Sequence, residues 1–356
     1  MEDLDLYERL ANHLDQGVIA SPRSPHLTEI LRILFPEDEA RIAIKLPVMN
    51  TELSKLQELF PDLADNLASM LDRMAKRGTV FKSVHSGGEV QYRLLPPVVG
   101  WYEAPFAAGK ETEQTRKLAP LWLKYREKEF GRELVRGNTP LMRVIPVSKP
   151  VKNPSGVVPY EFLRSIVEKQ SFIAVTHCSC RQIKRNVDQG CDHSDEVCMH
   201  MESMGRYMVE HSMARRVEMD EALEILKKAS QEGLVHTLNN IEGQASTICN
   251  CCGCCCVFLD TRKKLGLHSI STSGFVAQAD SDACAACGVC EKRCPMEAVT
   301  VIEEAARVNG DLCIGCGVCT TTCPTGAVEL KLRGQPVNPP SLKEFLAARY
   351  KKETIL

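Results

Sequence analysis

Eight cysteines between residues 284 and 323 constrain this chain more than any other feature of it. They form two copies of one spacing. The first is Cys284, Cys287, Cys290 and Cys294, followed by Pro295; the second is Cys313, Cys316, Cys319 and Cys323, followed by Pro324. Each copy reads C-x2-C-x2-C-x3-C-P, so the region is an internal repeat. Three thiols at i, i+3 and i+6 converge only if the backbone curls tightly around whatever they hold. Gly288 in the first copy, and Gly315 and Gly317 in the second, give the backbone freedom for that curl.

Four converging thiolates on tight loops are the ligand set of a [4Fe–4S] cluster, and a run closed by Cys-Pro is the bacterial ferredoxin run. Residues 271–332 resemble the bacterial two-cluster ferredoxins. The resemblance implies two [4Fe–4S] clusters, with the fourth cysteine of each run ligating the other cluster. Cys284, Cys287, Cys290 and Cys323 would then hold one cluster, and Cys313, Cys316, Cys319 and Cys294 the other. The chemistry it implies is the relay of single electrons. Two zinc sites built from CxxC pairs are the alternative. The doubled spacing with both prolines speaks against them.

The rest of the chain is judged against that domain. At 356 residues it is long enough for two or three domains. A net charge of −2 gives no global reason to expect nucleic acid or an anionic membrane as partner. No apolar run reaches the 18 or so residues of a spanning helix, which leaves only peripheral membrane association open. Eighteen cysteines would suit a disulfide-rich secreted protein. The acidic start Met1-Glu2-Asp3-Leu4-Asp5 lacks the basic and apolar regions of an export signal. Clustered thiols without such a signal read as metal ligands in a reducing cytoplasm.

The other ten cysteines lie between 178 and 256. Cys178, Cys180, Cys191 and Cys198 follow an apolar run at 172–175 that reads as a short buried strand. A helix is expected from about Glu196, with Met201, Met204 and Met208 on one face. The second group is Cys249-Asn250-Cys251-Cys252-Gly253-Cys254-Cys255-Cys256. Thiols this dense favour soft metals. The expected ligands are Cys178, Cys180, Cys191, Cys198, Cys251, Cys252, Cys254 and Cys255. A third iron–sulfur cluster, a zinc site of four thiolates and reduced structural cysteines all stay open. Mixed ligation with His177, His193 or His200 is a further option. Between the groups, 219–232 has helical periodicity and 234–238 reads as a strand, so 159–270 is expected to be a small α/β module. Cys251-Cys252-Gly253 resembles the CCG element of heterodisulfide-reductase-type subunits over three residues, without their second copy. The combination of Thr-His-Cys-Ser-Cys-Arg at 176–181, the Cys-rich octet and the C-terminal repeat resembles a family of iron–sulfur proteins of anaerobic bacteria to which no reaction is assigned.

The N-terminal part, 1–97, resembles a winged helix: helices at 27–35, 51–60 and 62–76, then a hairpin 80–84/90–95 turning at Ser86-Gly87-Gly88. Asp62, Asp65 and Asp72 on the third helix oppose phosphate approach, so a protein-docking or intramolecular role is preferred over DNA binding. Residues 98–158 read as a Pro-rich linker with one helix at 111–130. Trp101, Tyr102, Trp122 and Tyr125 there would form a packing seam between domains. A tail helix is expected at 341–351, within a C-terminal segment 333–356.

No G-x-G-x-x-G after a strand, no G-x-x-x-x-G-K-[ST] and no C-x-x-C-H occurs, so the sequence offers no nucleotide, flavin or c-type haem motif. The fold expected is α+β, with a winged-helix-like domain, a Cys-rich α/β module and a two-cluster ferredoxin domain. The function expected is electron transfer between redox-protein partners, as a component of an oxidoreductase system. A redox-sensing winged-helix regulator, and a reductase with its chemistry at 178–256, are the alternatives.

Overall fold

The computed structural model describes residues 5–85, 87–147, 159–333 and 338–350, with side chains from 163 onward in the third segment. Ser86 of the expected turn, Pro150 and Pro154 of the expected linker, and Lys351 of the tail helix lie outside the described residues. The chain is α+β and divides into two compact units. Unit 1 takes 1–133, 176–190 and 203–216; unit 2 takes 134–175, 191–202 and 217–356.

In unit 1 the helix Pro25–Leu34 begins at Ser24, whose hydroxyl accepts a hydrogen bond from the Leu27 N–H at 3.2 Å, with Pro25 at the first helical position. The expected second helix starts late. Thr51–Glu52 is strand β1, because Thr51 pairs with Tyr92, and the helix is Leu53–Leu59. The helix Ala64–Arg77 buries Leu67, Leu71 and Met74 and stops at Gly78, whose φ of +80° is a left-handed cap. Strands β2 (Val80–Val84) and β3 (Val90–Leu94) pair antiparallel, and the sheet order is β1-β3-β2.

Residues 98–133 are core of unit 1 rather than linker. Trp101, Tyr102, Trp122 and Tyr125 are fully buried. Trp122 packs 5.4 Å from Trp101 and edge-on at 4.6 Å to Tyr102. They form the centre of one unit, where a seam between domains was expected. The helix Glu113–Tyr125 is opened by a reciprocal cap between Thr112 and Thr115.

A six-stranded sheet, most of whose residues belong to unit 2, has the order β4-β8-β9-β6-β5-β7. Its strands are β4 (Met142–Ile145), β5 (Ile173–His177), β6 (Glu196–Met201), β7 (Arg215–Val217), β8 (Val235–Asn239) and β9 (Thr247–Cys251). Residues 196–201, expected as helix, are strand β6. Val197, Met199 and Met201 alternate with polar or smaller neighbours and are all buried, which is a period of two. The helix follows at Glu202–Glu210. Met199, Met201, Leu226, Leu238 and Ile248 share one buried cluster with Leu163 and Ile173. The helix Met219–Gln231 lays Ala222 and Leu226 on that cluster.

The repeat region folds as two antiparallel ribbons. β10 (Phe275–Ala279) pairs with β13 (Val328–Leu332), and β11 (Val299–Ile302) with β12 (Ala305–Val308). Each half of the repeat therefore gives one strand to each ribbon. The tail helix is Leu342–Tyr350. Among the described residues, no helix is long and apolar enough to cross a membrane.

Candidate metal centres

The eight repeat cysteines gather in two sets of four. Cys284, Cys287, Cys290 and Cys323 line one small cavity, with Val289, Val301 and Val328 behind them. Cys294, Cys313, Cys316 and Cys319 line another, walled by Met296, Ile314 and Val299. Each set takes three cysteines from one run and one from the other. The loops curl as the glycines allow: φ is +71° at Gly288, +69° at Gly315 and +76° at Gly317. At Gly317 a Cβ would lie 2.6 Å from the Val147 carbonyl oxygen, so this position takes no side chain.

Backbone N–H groups turn toward sulfur with matching symmetry. Ala277 on β10 donates to Cys313 Sγ at 3.5 Å, and Ala306 on β12 donates to Cys284 Sγ at 3.4 Å. Ala298 donates to Cys294 Sγ at 3.2 Å. Such bonds favour thiolate and tune a bound cluster. Burial acts the other way. It pushes the Cys316 thiol up to about 12 and raises Cys290, Cys294 and Cys319. Buried thiols held together at that cost are suited to a cationic metal core, which takes up the charge.

The two sets differ in exposure. Cys313, Cys316 and Cys319 are buried, whereas Cys287 is exposed and Cys284 and Cys323 are half-buried.

A third group has a different geometry. The Sγ atoms of Cys191, Cys252, Cys254 and Cys255 all lie within 4.8 Å of one another, the only such group of three or more among the described residues. The pairs Cys191–Cys252 and Cys191–Cys255 are 3.8 Å apart, and Cys254–Cys255 3.7 Å. Four sulfurs bound at about 2.3 Å to one tetrahedral ion lie about 3.8 Å from each other. Thiolates at the corners of a cubane lie farther apart, at roughly 6 Å. The spacing is closer to that of a single tetrahedral ion, zinc or iron, than to that of a cubane. Contact with Cys252, then burial, raises the Cys191 thiol.

The local fold explains how the group is held. Cys252–Cys255 form the turn between β9 and the helix Val257–Leu265. Behind that turn runs a buried polar chain. His236 on β8 bonds through Nδ1 to Asn250 Oδ1 and through Nε2 to Ser230 Oγ at 2.7 Å, and Asn250 Nδ2 donates to the Val197 carbonyl at 2.5 Å. β6, β8 and β9 are thus locked in register beneath the thiols. Glu232 accepts from the Ser194 N–H at 2.7 Å and from the Ser194 hydroxyl, which fixes the loop carrying Cys191.

The other central cysteines have different surroundings. Cys198 and Cys251 lie on β6 and β9, and Cys251 Sγ is 3.9 Å from Thr237 Oγ1. Cys178 and Cys180 belong to unit 1, at the start of the helix Ser179–Arg185. There the Tyr102 hydroxyl donates to Cys180 Sγ at 3.6 Å, and burial raises the Glu103 carboxyl well above its usual range. Among the described residues, none of His177, His193 and His200 belongs to the tetrathiolate group. Ser194, Glu232, His236 and Asn250 escaped the sequence reading, since ordinary polar residues carry no spacing signal.

Residues 283–329 match the model of a family described as a 4Fe-4S dicluster domain. No curated protein matches the chain, and no solved structure does. The match and the cysteine geometry make the C-terminal region a ferredoxin-type domain that binds 4Fe–4S.

Proposed function

We propose that this chain is an iron–sulfur electron-transfer protein, or the electron-transfer subunit of a larger redox complex. In this reading it carries two [4Fe–4S] clusters and one mononuclear tetrathiolate centre. The observation that carries it is the graded exposure of the thiol sets. The set with exposed Cys287 is where an external redox protein exchanges electrons. The buried set passes them inward to the centre at Cys191, Cys252, Cys254 and Cys255. Iron at that centre would extend the relay; zinc would make it a structural clamp, since zinc has no accessible redox change.

The N-terminal arrangement, with helices Pro25–Leu34, Leu53–Leu59 and Ala64–Arg77, strand β1 ahead of the second of these and the hairpin β2–β3 after the third, supports a winged helix. Its cations support protein docking over DNA binding. Arg77 pairs with Glu39 at 3.1 Å, Arg73 with Asp38 at 3.7 Å, and Lys82 with Asp72 at 2.9 Å. Cations already neutralised by carboxylates have little to offer a phosphate backbone.

The test is iron, zinc and acid-labile sulfide per chain on anaerobically purified protein, with the visible spectrum before and after dithionite. About 8 iron in clusters, about one further metal ion and reversible bleaching are expected. About 4 iron, or a spectrum that dithionite cannot bleach reversibly, would sink the reading.

A further inference from the structure

A cavity of about 250 Å³ opens between the tetrathiolate loop and the end of the first thiol run. His193, Glu232, Cys254, Lys263, Lys292 and Arg293 line it, and Gly253 and Pro295 contribute backbone. Cys254 is the exposed member of the four clustered thiols. Whatever enters the cavity meets that sulfur on one side and the Cys294–Pro295 turn on the other.

Apart from the sulfurs of Cys252, Cys254 and Cys294, the charge of this lining is lopsided. Glu232 is occupied by Ser194 and lies 4.0 Å from Lys228. Lys263 is paired with Glu297, outside the cavity lining. Arg293 is anchored by Nη2, which donates to the Gln231 carbonyl at 2.9 Å and to the Ser230 carbonyl at 3.4 Å. Its Nε is buried and has no hydrogen-bond partner among the described residues. An anchored guanidinium with an unspent donor is a preorganised oxyanion receptor. Lys292, on the same helical turn, is exposed and adds a mobile charge.

We infer that this cavity is a binding site for a small oxyanion, a carboxylate or phosphate group, held by Arg293 and Lys292 against the exposed Cys254. The volume suits a small molecule and excludes a folded partner. The inference deepens the electron-transfer reading by giving the inner end of the relay a ligand, and it rests on that reading only for what the ligand touches. Binding itself depends on the cations.

The test is calorimetric titration of the full-length, metal-loaded protein at low ionic strength with inorganic phosphate and, separately, with acetate. Metal content is assayed on the same samples. Saturable binding with a dissociation constant of about 1 mM or tighter is expected for at least one probe. Lys292→Ala should weaken it about tenfold while keeping full metal, and Lys117→Ala on unit 1 should leave it unchanged. Phosphate alone binding would assign a phosphate-bearing ligand; acetate alone, a carboxylate. No saturable binding of either probe to fully loaded protein would overturn the inference, as would equal affinity in Lys292→Ala. In those cases the cations serve only to balance the thiolate charge. Failure of the electron-transfer reading would show instead in the iron and zinc counts.

Discussion

Gly253 packs its backbone directly on the carbonyl of Pro295: a Cβ built at Gly253 would lie 2.0 Å from that oxygen and 2.8 Å from its carbon. The loop that bears Cys252 and Cys254 thereby rests on the turn that closes the first ferredoxin run. No side chain separates them, so the tetrathiolate group and the set containing Cys294 are neighbours through backbone alone.

Gly253→Ala should therefore be costly although its backbone is not left-handed. The obstacle is carbonyl backbone, which cannot rotate aside as a side chain tip can. A loss of roughly 1–3 kcal/mol of stability is expected from overpacking of this kind. Chemical denaturation of the metal-loaded variant checks it, and a loss below about 0.5 kcal/mol would mean that the contact yields freely.

The metal set makes a separate prediction. Cys255→Ser should remove the mononuclear ion while leaving the cluster absorption, because none of the eight repeat cysteines is touched. Cys256→Ser, one residue on, should keep the ion, since Cys256 lies outside the group of four. Elemental analysis of the two variants side by side decides between this set and another.

In the proposed two-cluster reading, the clusters should titrate separately. Burial disfavours the more negative reduced state, so the cluster in the set of Cys313, Cys316 and Cys319 should have the lower potential. A gap of roughly 60 mV or more is expected, the one-electron equivalent of a tenfold difference. Potentiometric titration followed by electron paramagnetic resonance measures it, with Cys287→Ser perturbing the higher step.

Stability should fall in mild acid through buried histidine. Burial holds His236 at about 4, and does the same to His200, against an ordinary value of about 6.5. Between those limits the unfolded chain binds protons that the folded chain refuses. The contribution is complete above about pH 6.5 and is lost as pH drops toward 4. The slope of unfolding free energy against pH over that window should be shallower in His236→Gln than in the parent, and equal slopes would contradict the assignment.

In unit 1, Trp122 sits at the centre of the aromatic cluster. Trp122→Ala should cost roughly 3–5 kcal/mol, read as a shift of the denaturation midpoint.

What the sequence made legible depended on how local the signal was. The eight ferredoxin cysteines are held by spacing within two short runs, so their grouping could be written down from residue order and the resemblance. The tetrathiolate set could not. Cys191 joins Cys252, Cys254 and Cys255 only because β6 and β9 are paired and Glu232 tethers the intervening loop through Ser194. Ten candidate thiols offered no way to choose these four without that pairing. Methionine suits helix and strand alike, so 196–201 reads as the start of a helix; the pairing of Met199 and His200 with β9 decides for strand. The aromatic residues at 101–125 are visible as a group, but their prolines suggest a linker. In fact Pro120 lies inside the helix Glu113–Tyr125, which buries Trp122.

The spacing of the four clustered thiols also bears on how the protein must be made. Sulfurs 3.7–3.8 Å apart, one of them open to solvent, are a single oxidation away from joining each other. A bound ion occupies all four lone pairs at once and so acts as a protecting group for the chain's own chemistry. If the proposed ion binds there, its delivery has to precede oxidant exposure during maturation, and a chain that misses that order is trapped by its own best ligands.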